Sequence, residues 1–366
     1  MPLFAPADCP RLIVKIGSAL LVDADGVRRD WLAGIAADIA DRVRAGQQVA
    51  VVSSGAIALG ARRLGLAKGG RASLEDAQAA AATGQIALSQ VWAEVLGAQG
   101  LTAAQMLVTL DDLEDRRRYL NASATLDRLL ALNAVPVINE NDSVATAEIR
   151  FGDNDRLAAR VAQAAGATGI ILLSDIDGLY DRNPDLPGAM HIARVERIDA
   201  AIAAMADRGS ASGMGSGGMV SKIEAARIAC GAGVALVIAS GRVDRPLSTA
   251  ARHTLFVPEK RTRARKAWLA GRLTARGTIV VDAGAAQALA AGRSLLAAGA
   301  IAVHGAFFRG DAVTIEGPAG PIARGLSEYD AREALKLLGR RSEEHGEILG
   351  YAPRSALVHR SHMVLL

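Results

Sequence analysis

Short apolar runs alternate with amphipathic stretches along the first 250 residues. Residues 11–16 (RLIVKI) form an apolar run stopped by Gly17, which predicts a buried strand. A helix is expected near 30–45, then a second strand over 48–53 ended by Ser54-Gly55. Residues 56–65 and 76–98 read as helices, the latter Ala-rich with Gly84 inside it. An apolar segment at 104–109 precedes a charged helix near 111–132. Val135 to Ile138 reads as a strand that runs into Asn139-Glu140-Asn141-Asp142. A helix is expected after Asp155, a strand over 170–173 ended by Ser174-Asp175, and a strand over 234–239. Between the last two lie a glycine-rich loop, Gly213–Gly218, and a helix beginning near Val220 or Ser221.

Strands alternating with helices predict an α/β fold, a mostly parallel sheet sandwiched by helices. In such sheets ligands bind outside the carboxyl ends of the strands. Lys15–Ser18, Ser53–Gly55, Asn139–Asp142 and Ser174–Asp175 all follow strand ends and are expected to converge on one edge. After Gly277 the texture changes to short strands at 279–281, 301–303, 312–315 and 322–325, with Gly-rich turns and a short helix near 330–338. This predicts a second, small β-rich domain. The expected division is a first domain over 1–258, a linker over 259–276 and the small domain over 277–366.

Composition narrows the class. Hydrophobic residues make up 51% and charged residues 22%, which excludes a mostly disordered chain. Aromatics are only 3%, so the core is expected to be aliphatic. No apolar run is long enough for a transmembrane helix, and Met1–Pro10 lacks the basic and apolar regions of a secretory signal. Cys9 and Cys230 make no CxxC pair, disulfide framework or zinc spacing. A cytoplasmic protein is expected. Residues 1–260 hold 27 basic and 29 acidic residues, whereas all surplus positive charge lies at Arg261, Arg263, Arg265, Lys266, Arg272 and Arg276. From 277 onward each sign occurs nine times. The basic feature is therefore a connecting segment, either solvated or in contact with an anion or RNA.

Candidate chemistry centres on two cations. Lys15 lies inside or at the end of an apolar strand, where a lysine is costly unless paired. Lys222 lies in the first turn of a helix, where its charge opposes the helix dipole. Gly217-Gly218, just before that helix, offer unhindered N–H groups for an anion. Gly213, Gly215 and Gly218 formally satisfy GxGxxG, but the preceding segment is polar, so a dinucleotide site is not expected. No GxxxxGK[ST] occurs. The clusters Asn139–Asp142 and Phe151-Gly152-Asp153-Asn154-Asp155 suit an amino group, a metal, or turns and caps, and Asp155 is also a candidate helix cap. The histidines are scattered, with no HExxH and no Ser-His-Asp elbow. Two lysines, a glycine loop, an aspartate and no general base point to phosphoryl transfer.

These residues carry a resemblance. The chain resembles the glutamate 5-kinase family of the amino acid kinase fold in IVKIGS (13–18), VSSGAI (52–57), VPVINEND (135–142), FGDND (151–155), LSDIDGLY (173–180) and GSGGMVSK (215–222). Its tail is similar to a PUA domain in FFRGD (307–311) and IARGLS (322–327). Ser216 stands where Thr is common and Ala306 where Asn is common. The resemblance implies transfer of the γ-phosphoryl of ATP to the side-chain carboxylate of L-glutamate, opening proline biosynthesis. That carboxylate is already ionised at neutral pH, so no base is needed. By resemblance Lys15 and Lys222 hold the transferring phosphoryl, Asp155 positions both, and Gly17 and Gly55 let backbone N–H groups approach phosphate oxygens. Ser54, Asp142, Asn154 and Asp153 are implied for glutamate. Ser174, Asp175 and Ser216, Gly217, Gly218, Met219, Val220, Ser221 and Lys222 are implied, with Lys15, for the nucleotide. Mg²⁺ would come bound to the phosphates, with no metal motif of the protein's own. Proline inhibition at a site overlapping glutamate and a homo-oligomer, dimer or tetramer, are also implied, and glutamyl phosphate reductase is a candidate physical partner because an acyl phosphate is short-lived in water. Alternatives are a sister kinase for aspartate, N-acetylglutamate or carbamate, an RNA-binding protein acting through its tail, and a dinucleotide oxidoreductase.

Overall fold

The computed structural model of the chain describes residues 4–23, 26–144, 154–207, 218–249, 252–258, 275–351 and 353–366. Asp153, Ser216, Gly217, the glycines at 213 and 215, and most of the basic linker lie outside these residues. Internal packing divides the chain into two units, Met1–Glu114 with Ala122–Arg261, and Asp115–Asn121 with Thr262–Leu366.

In chain order the first elements are β1 (Arg11–Ile16), α1 (Ser18–Leu21), α2 (Arg29–Arg44), β2 (Gln48–Ser53), α3 (Ala56–Leu64), α4 (Leu74–Gly97) and β3 (Ala103–Val108). They are followed by α5 (Leu110–Glu114), α6 (Arg116–Ala131), β4 (Val135–Glu140), α7 (Asn154–Ala164) and β5 (Gly169–Ser174). Next come β6 (Leu179–Tyr180), β7 (His191–Ile192), β8 (Arg194–Val195), α8 (Ala200–Asp207), α9 (Met219–Gly231), β9 (Ala235–Ser240), α10 (Pro246–Thr249) and β10 (His253–Phe256).

The main sheet runs β3-β4-β2-β1-β5-β9-β10-β8. Its pairs are parallel from β3 through β9, and β10 turns antiparallel to β9. β1 is central: Ile16 faces Ser53 of β2 on one side and Leu173 of β5 on the other. The chain leaves β1 for β2 and returns to its other side as β5, which makes the carboxyl end of β1 the switch point where a crevice opens.

Alternation along β1 explains its mixed composition. Leu12, Val14 and Ile16 join a buried cluster with Trp31, Leu32 and Ile35 of α2 and Leu88 and Trp92 of α4. Lys15 points the other way. The charged helix expected over 111–132 is two helices, α5 and α6, and α7 begins at Asn154, before Asp155 rather than after it. The β6–β7 hairpin, α8 and β10 carried too little periodicity in sequence to be expected.

A helix crossing positions the site edge. Gly60 of α3 and Gly84 of α4 meet backbone to backbone: a Cβ on Gly60 would sit 1.7 Å from the Ala80 carbonyl oxygen, and one on Gly84 1.8 Å from that of Ala56. This contact seats the amino end of α3, where Gly55 adopts φ +103°.

The second unit contains β11 (Gly277–Val281), α11 (Ala283–Ala290), β12 (Ala300–Gly305), β13 (Ala312–Gly317), β14 (Gly320–Leu326), α12 (Ala331–Leu337), α13 (His345–Leu349) and β15 (Met363–Leu365). Its sheet runs β12-β11-β13-β14-β15, with β11 and β13 parallel and the other pairs antiparallel. Ile279, Val281, Val313, Ile315, Phe307 and Tyr329 are among its buried core. Asp330 caps α12 in a reciprocal box with Glu333.

Candidate active site

Lys15, Asp155 and Lys222 form one buried cluster. Lys15 Nζ lies 2.5 Å from Asp155 Oδ1, and Lys222 Nζ donates to Asp155 Oδ2 at 2.9 Å. The three residues are 6%, 1% and 5% exposed, so all are sealed from bulk water. β1 delivers Lys15, the first turn of α7 delivers Asp155, and the first turn of α9 delivers Lys222. Burial pulls the Asp155 carboxyl upward, but the two ammonium groups outweigh it and hold the carboxyl below the ordinary carboxylate range. Asp155 thus pairs with both lysines rather than serving only as a cap. Two cations and one anion leave a net positive charge in a low-dielectric pocket, which suits a polyanion.

Beside this cluster lies an amide network. Asn154 Nδ2 donates to Ser54 Oγ at 2.7 Å, to Asn139 Oδ1 at 3.3 Å and to the Ser53 carbonyl oxygen at 3.4 Å. Asn139 Nδ2 donates to Gln85 Oε1 at 2.8 Å, and Trp92 Nε1 donates to Ser53 Oγ at 3.0 Å. Asn154 Oδ1 is buried and accepts no hydrogen bond among the described residues, and the same holds for Asp142 Oδ1. Asp142 follows β4 in a short 3-10 turn and is 7% exposed. Burial pushes its pKa up to about 6, against an opposing pull from Arg71. Gln85, Ser89, Glu140, Asn141 and Asp142 line a cavity of about 450 Å³.

Glycines and hydroxyls complete the edge. Gly17 precedes α1 and its N–H reaches the Leu173 carbonyl at 3.4 Å. Gly55 opens α3, whose first N–H groups have no intrahelical acceptor. Gly218 opens α9, followed by Met219, the exposed Val220, and Ser221. Ser174 Oγ donates to Asp175 Oδ1 at 3.0 Å at the end of β5. Gln85 and Trp92 were not expected as site residues. The only signal near Gln85 was its neighbour Gly84 in an Ala-rich helix.

No cluster of three or more His, Cys, Asp or Glu side chains fit to hold a metal occurs among the described residues. No helix among them is long and apolar enough to cross a membrane.

Two family models match the chain, the amino acid kinase family over residues 10–240 and the PUA domain over residues 277–349. The chain is 77% identical to a glutamate 5-kinase of Sphingopyxis alaskensis, with all of both chains covered. It is 66% identical to a glutamate 5-kinase of Novosphingobium aromaticivorans, covering 98% of this chain and 96% of that one. A carbamate kinase from Giardia lamblia bound to AMP-PNP has the same fold at 12% identity and a TM-score of 0.50, covering 68% of this chain and 99% of that one.

Proposed function

The chain belongs to the glutamate 5-kinase family, an amino acid kinase domain followed by a PUA domain, and from that premise we propose that it uses ATP to make glutamyl 5-phosphate as the opening step of proline biosynthesis. An oxygen of the glutamate side-chain carboxylate attacks the γ-phosphorus. The new O–P bond forms as the bond to the β–γ bridging oxygen breaks, and ADP leaves. No proton moves, which accords with a site built without a general base.

The observation that carries this reading is Asp155 held between Lys15 and Lys222 in a buried, net-positive cluster. The obstacle to reaction is repulsion between a carboxylate and a triphosphate, so catalysis is charge neutralisation and positioning. Lys15 and Lys222 meet the transferring phosphoryl, and Asp155 keeps them apart and oriented. Gly17 and Gly55 admit phosphate oxygens to backbone N–H groups. Asp142, Asn154 and Ser54 take the amino-acid end of glutamate, with Asp153 as a further candidate. Ser174, Asp175 and residues 216–222 take the nucleotide. Mg²⁺ fits as an ion carried by the ATP phosphates and water, because the one carboxylate between the lysines is already engaged. Its part is to neutralise phosphate charge.

The test is ADP release with Mg²⁺-ATP and glutamate, aspartate, N-acetylglutamate or no acceptor, with hydroxylamine present to trap an acyl phosphate. Glutamate-dependent ADP with matching hydroxamate is expected. Turnover with another acceptor only would overturn the substrate.

We take 1–258 as the kinase domain and 277–366 as the PUA-like domain, joined by the basic segment 259–276. Proline is the expected feedback inhibitor, and its inhibition should weaken as glutamate is raised. A homo-oligomer is expected by light scattering. Glutamyl phosphate reductase is the expected physical partner, since an acyl phosphate is short-lived in water, and co-purification checks it. Relatives named as kinases match over the whole chain, which weighs against RNA binding as the main activity.

A further inference from the structure

We propose that Gln85 is a positioning residue for the amino group of the acceptor: through Asn139 it sets the amide of Asn154 so that Asn154 Oδ1 is presented to the substrate. The inference rests on the reading of Asn154 and Asp142 as the glutamate site.

The argument follows donors and acceptors along the chain of amides. Gln85 Nε2 donates to Ser89 Oγ at 3.3 Å, and that hydroxyl donates back to the Gln85 carbonyl oxygen at 2.7 Å. Its amide nitrogen is thus engaged within α4, leaving Oε1 to accept. Asn139 Nδ2 donates to that oxygen at 2.8 Å. Asn139 is thereby committed to present Oδ1 to Asn154, whose Nδ2 donates to it and to Ser54 Oγ and the Ser53 carbonyl oxygen. A flipped Asn154 would set its oxygen against two further acceptors, Asn139 Oδ1 and the Ser53 carbonyl. The flip is therefore disfavoured as long as Asn139 is held.

The consequence is an oxygen that no described residue engages. Asn154 is 4% exposed, and its Oδ1 has no partner among the described residues. A buried acceptor left alone costs about 1–3 kcal/mol. Asp142 Oδ1 is in the same position. Gln85 and Asp142 share the wall of one cavity, and no Lys or Arg is among the described residues that line it. On the reading of Asn154 and Asp142 as the glutamate site, two acceptors that no described residue hydrogen-bonds fit an ammonium group, which has three donors and no acceptor.

The test compares glutamate with glutarate, the same five-carbon diacid without the amino group, as acceptors for wild type, Gln85→Met and Gln85→Glu. Wild type is expected to prefer glutamate. Gln85→Met removes the acceptor for Asn139 and should cut that preference about tenfold, through KM for glutamate, with kcat and KM for ATP nearly unchanged. Gln85→Glu keeps an acceptor at the same place and should retain the preference. In an Asn154→Ala background, Gln85→Met should cause no further loss. Should Gln85→Met not fold, Ser89→Ala releases the anchor on Nε2 and should shift the preference the same way by a smaller factor. An unchanged preference in Gln85→Met, or equal losses for glutamate and glutarate, would overturn the inference and leave the site reading standing. A wild type that accepts glutarate as well as glutamate would overturn the site reading, and the inference with it.

Discussion

Lys222 Nζ donates to Asp155 Oδ2 across 2.9 Å, between residues 67 positions apart in the chain. The second oxygen of the same carboxylate lies 2.5 Å from Lys15 Nζ. One buried anion therefore holds two buried cations at the carboxyl end of the central strand. Removing the aspartate leaves two cations without compensation, whereas removing either lysine leaves a neutral pair and takes away the surplus positive charge, so the direction of each failure is specific.

Replacing Asp155 by Asn keeps the shape but strands two ammonium groups in the interior. Breaking a buried pair in this way costs about 3–5 kcal/mol. Urea unfolding of Asp155→Asn should reveal a loss of that order, together with a fall in kcat of about 100-fold or more. Lys222→Ala should lower kcat by about 10²–10³-fold if, as proposed, its charge acts mainly on the transition state. KM for glutamate should stay within about threefold. Unchanged turnover would remove Lys222 from the chemistry.

On the proposed assignment of Asp142 to glutamate, binding should depend on pH. Burial raises its folded pKa to about 6, whereas an unfolded Asp titrates near about 3.9. An ammonium ligand needs the ionised form, so kcat/KM for glutamate should rise with pH through about 6. Asp142→Asn should bind glutamate more weakly and lose that limb of the profile. Stability runs the other way. Between about pH 4 and pH 6 the native state holds the proton and the unfolded state does not, so stability falls as pH rises through that window. Melting temperatures from pH 4 to 7 should show this fall for wild type and its absence in Asp142→Asn.

The α3–α4 crossing links packing to the site. A methyl group on Gly84 would overlap the Ala56 carbonyl at 1.8 Å, and neither backbone can yield without moving the amino end of α3. Gly84→Ala should lose about 3 kcal/mol or more in denaturant unfolding and reduce kcat. Gly97→Ala, at the end of the same helix with nothing within 4 Å of the added carbon, is the control and should be neutral or slightly stabilising.

Gly55 separates backbone strain from steric clash. Its φ is +103°, yet an added Cβ would meet nothing closer than Val22 Cγ2 at 3.5 Å. Gly55→Ala should cost about 1–3 kcal/mol from the backbone alone. A loss of kcat beyond what that destabilisation explains, measured on fully folded enzyme, is the expected sign that the N–H groups at the start of α3 meet the phosphates. Full retention of kcat would argue that they do not.

Much of the site could be read before the fold was known, because burial makes unusual residues visible. A lysine at position 15 within RLIVKI is out of place in a strand unless a partner waits for it. A lysine at position 222, in the first turn of a helix, opposes the dipole and invites the same question. The polar residues after the strand ends were also legible, since strand boundaries follow from short continuous apolar runs. The break between α5 and α6 was not, because the charged stretch at Asp115–Arg118 carries no hydrophobic period to interrupt.

Residue chemistry and hydrophobic period, both local properties, thus determined the α/β layering, the strand ends that carry polar groups, and the cations and carboxylates available to them. Partnership was decided only in three dimensions. Asp155 was a helix cap as readily as a counter-ion until the sheet order β2-β1-β5 set the end of β1 beside α7 and α9. Gln85 was one polar residue in an Ala-rich helix until α4 crossed α3 and brought it to Asn139. Strand order and helix crossings arise from packing among segments remote in sequence, and no local pattern encodes which of them will meet.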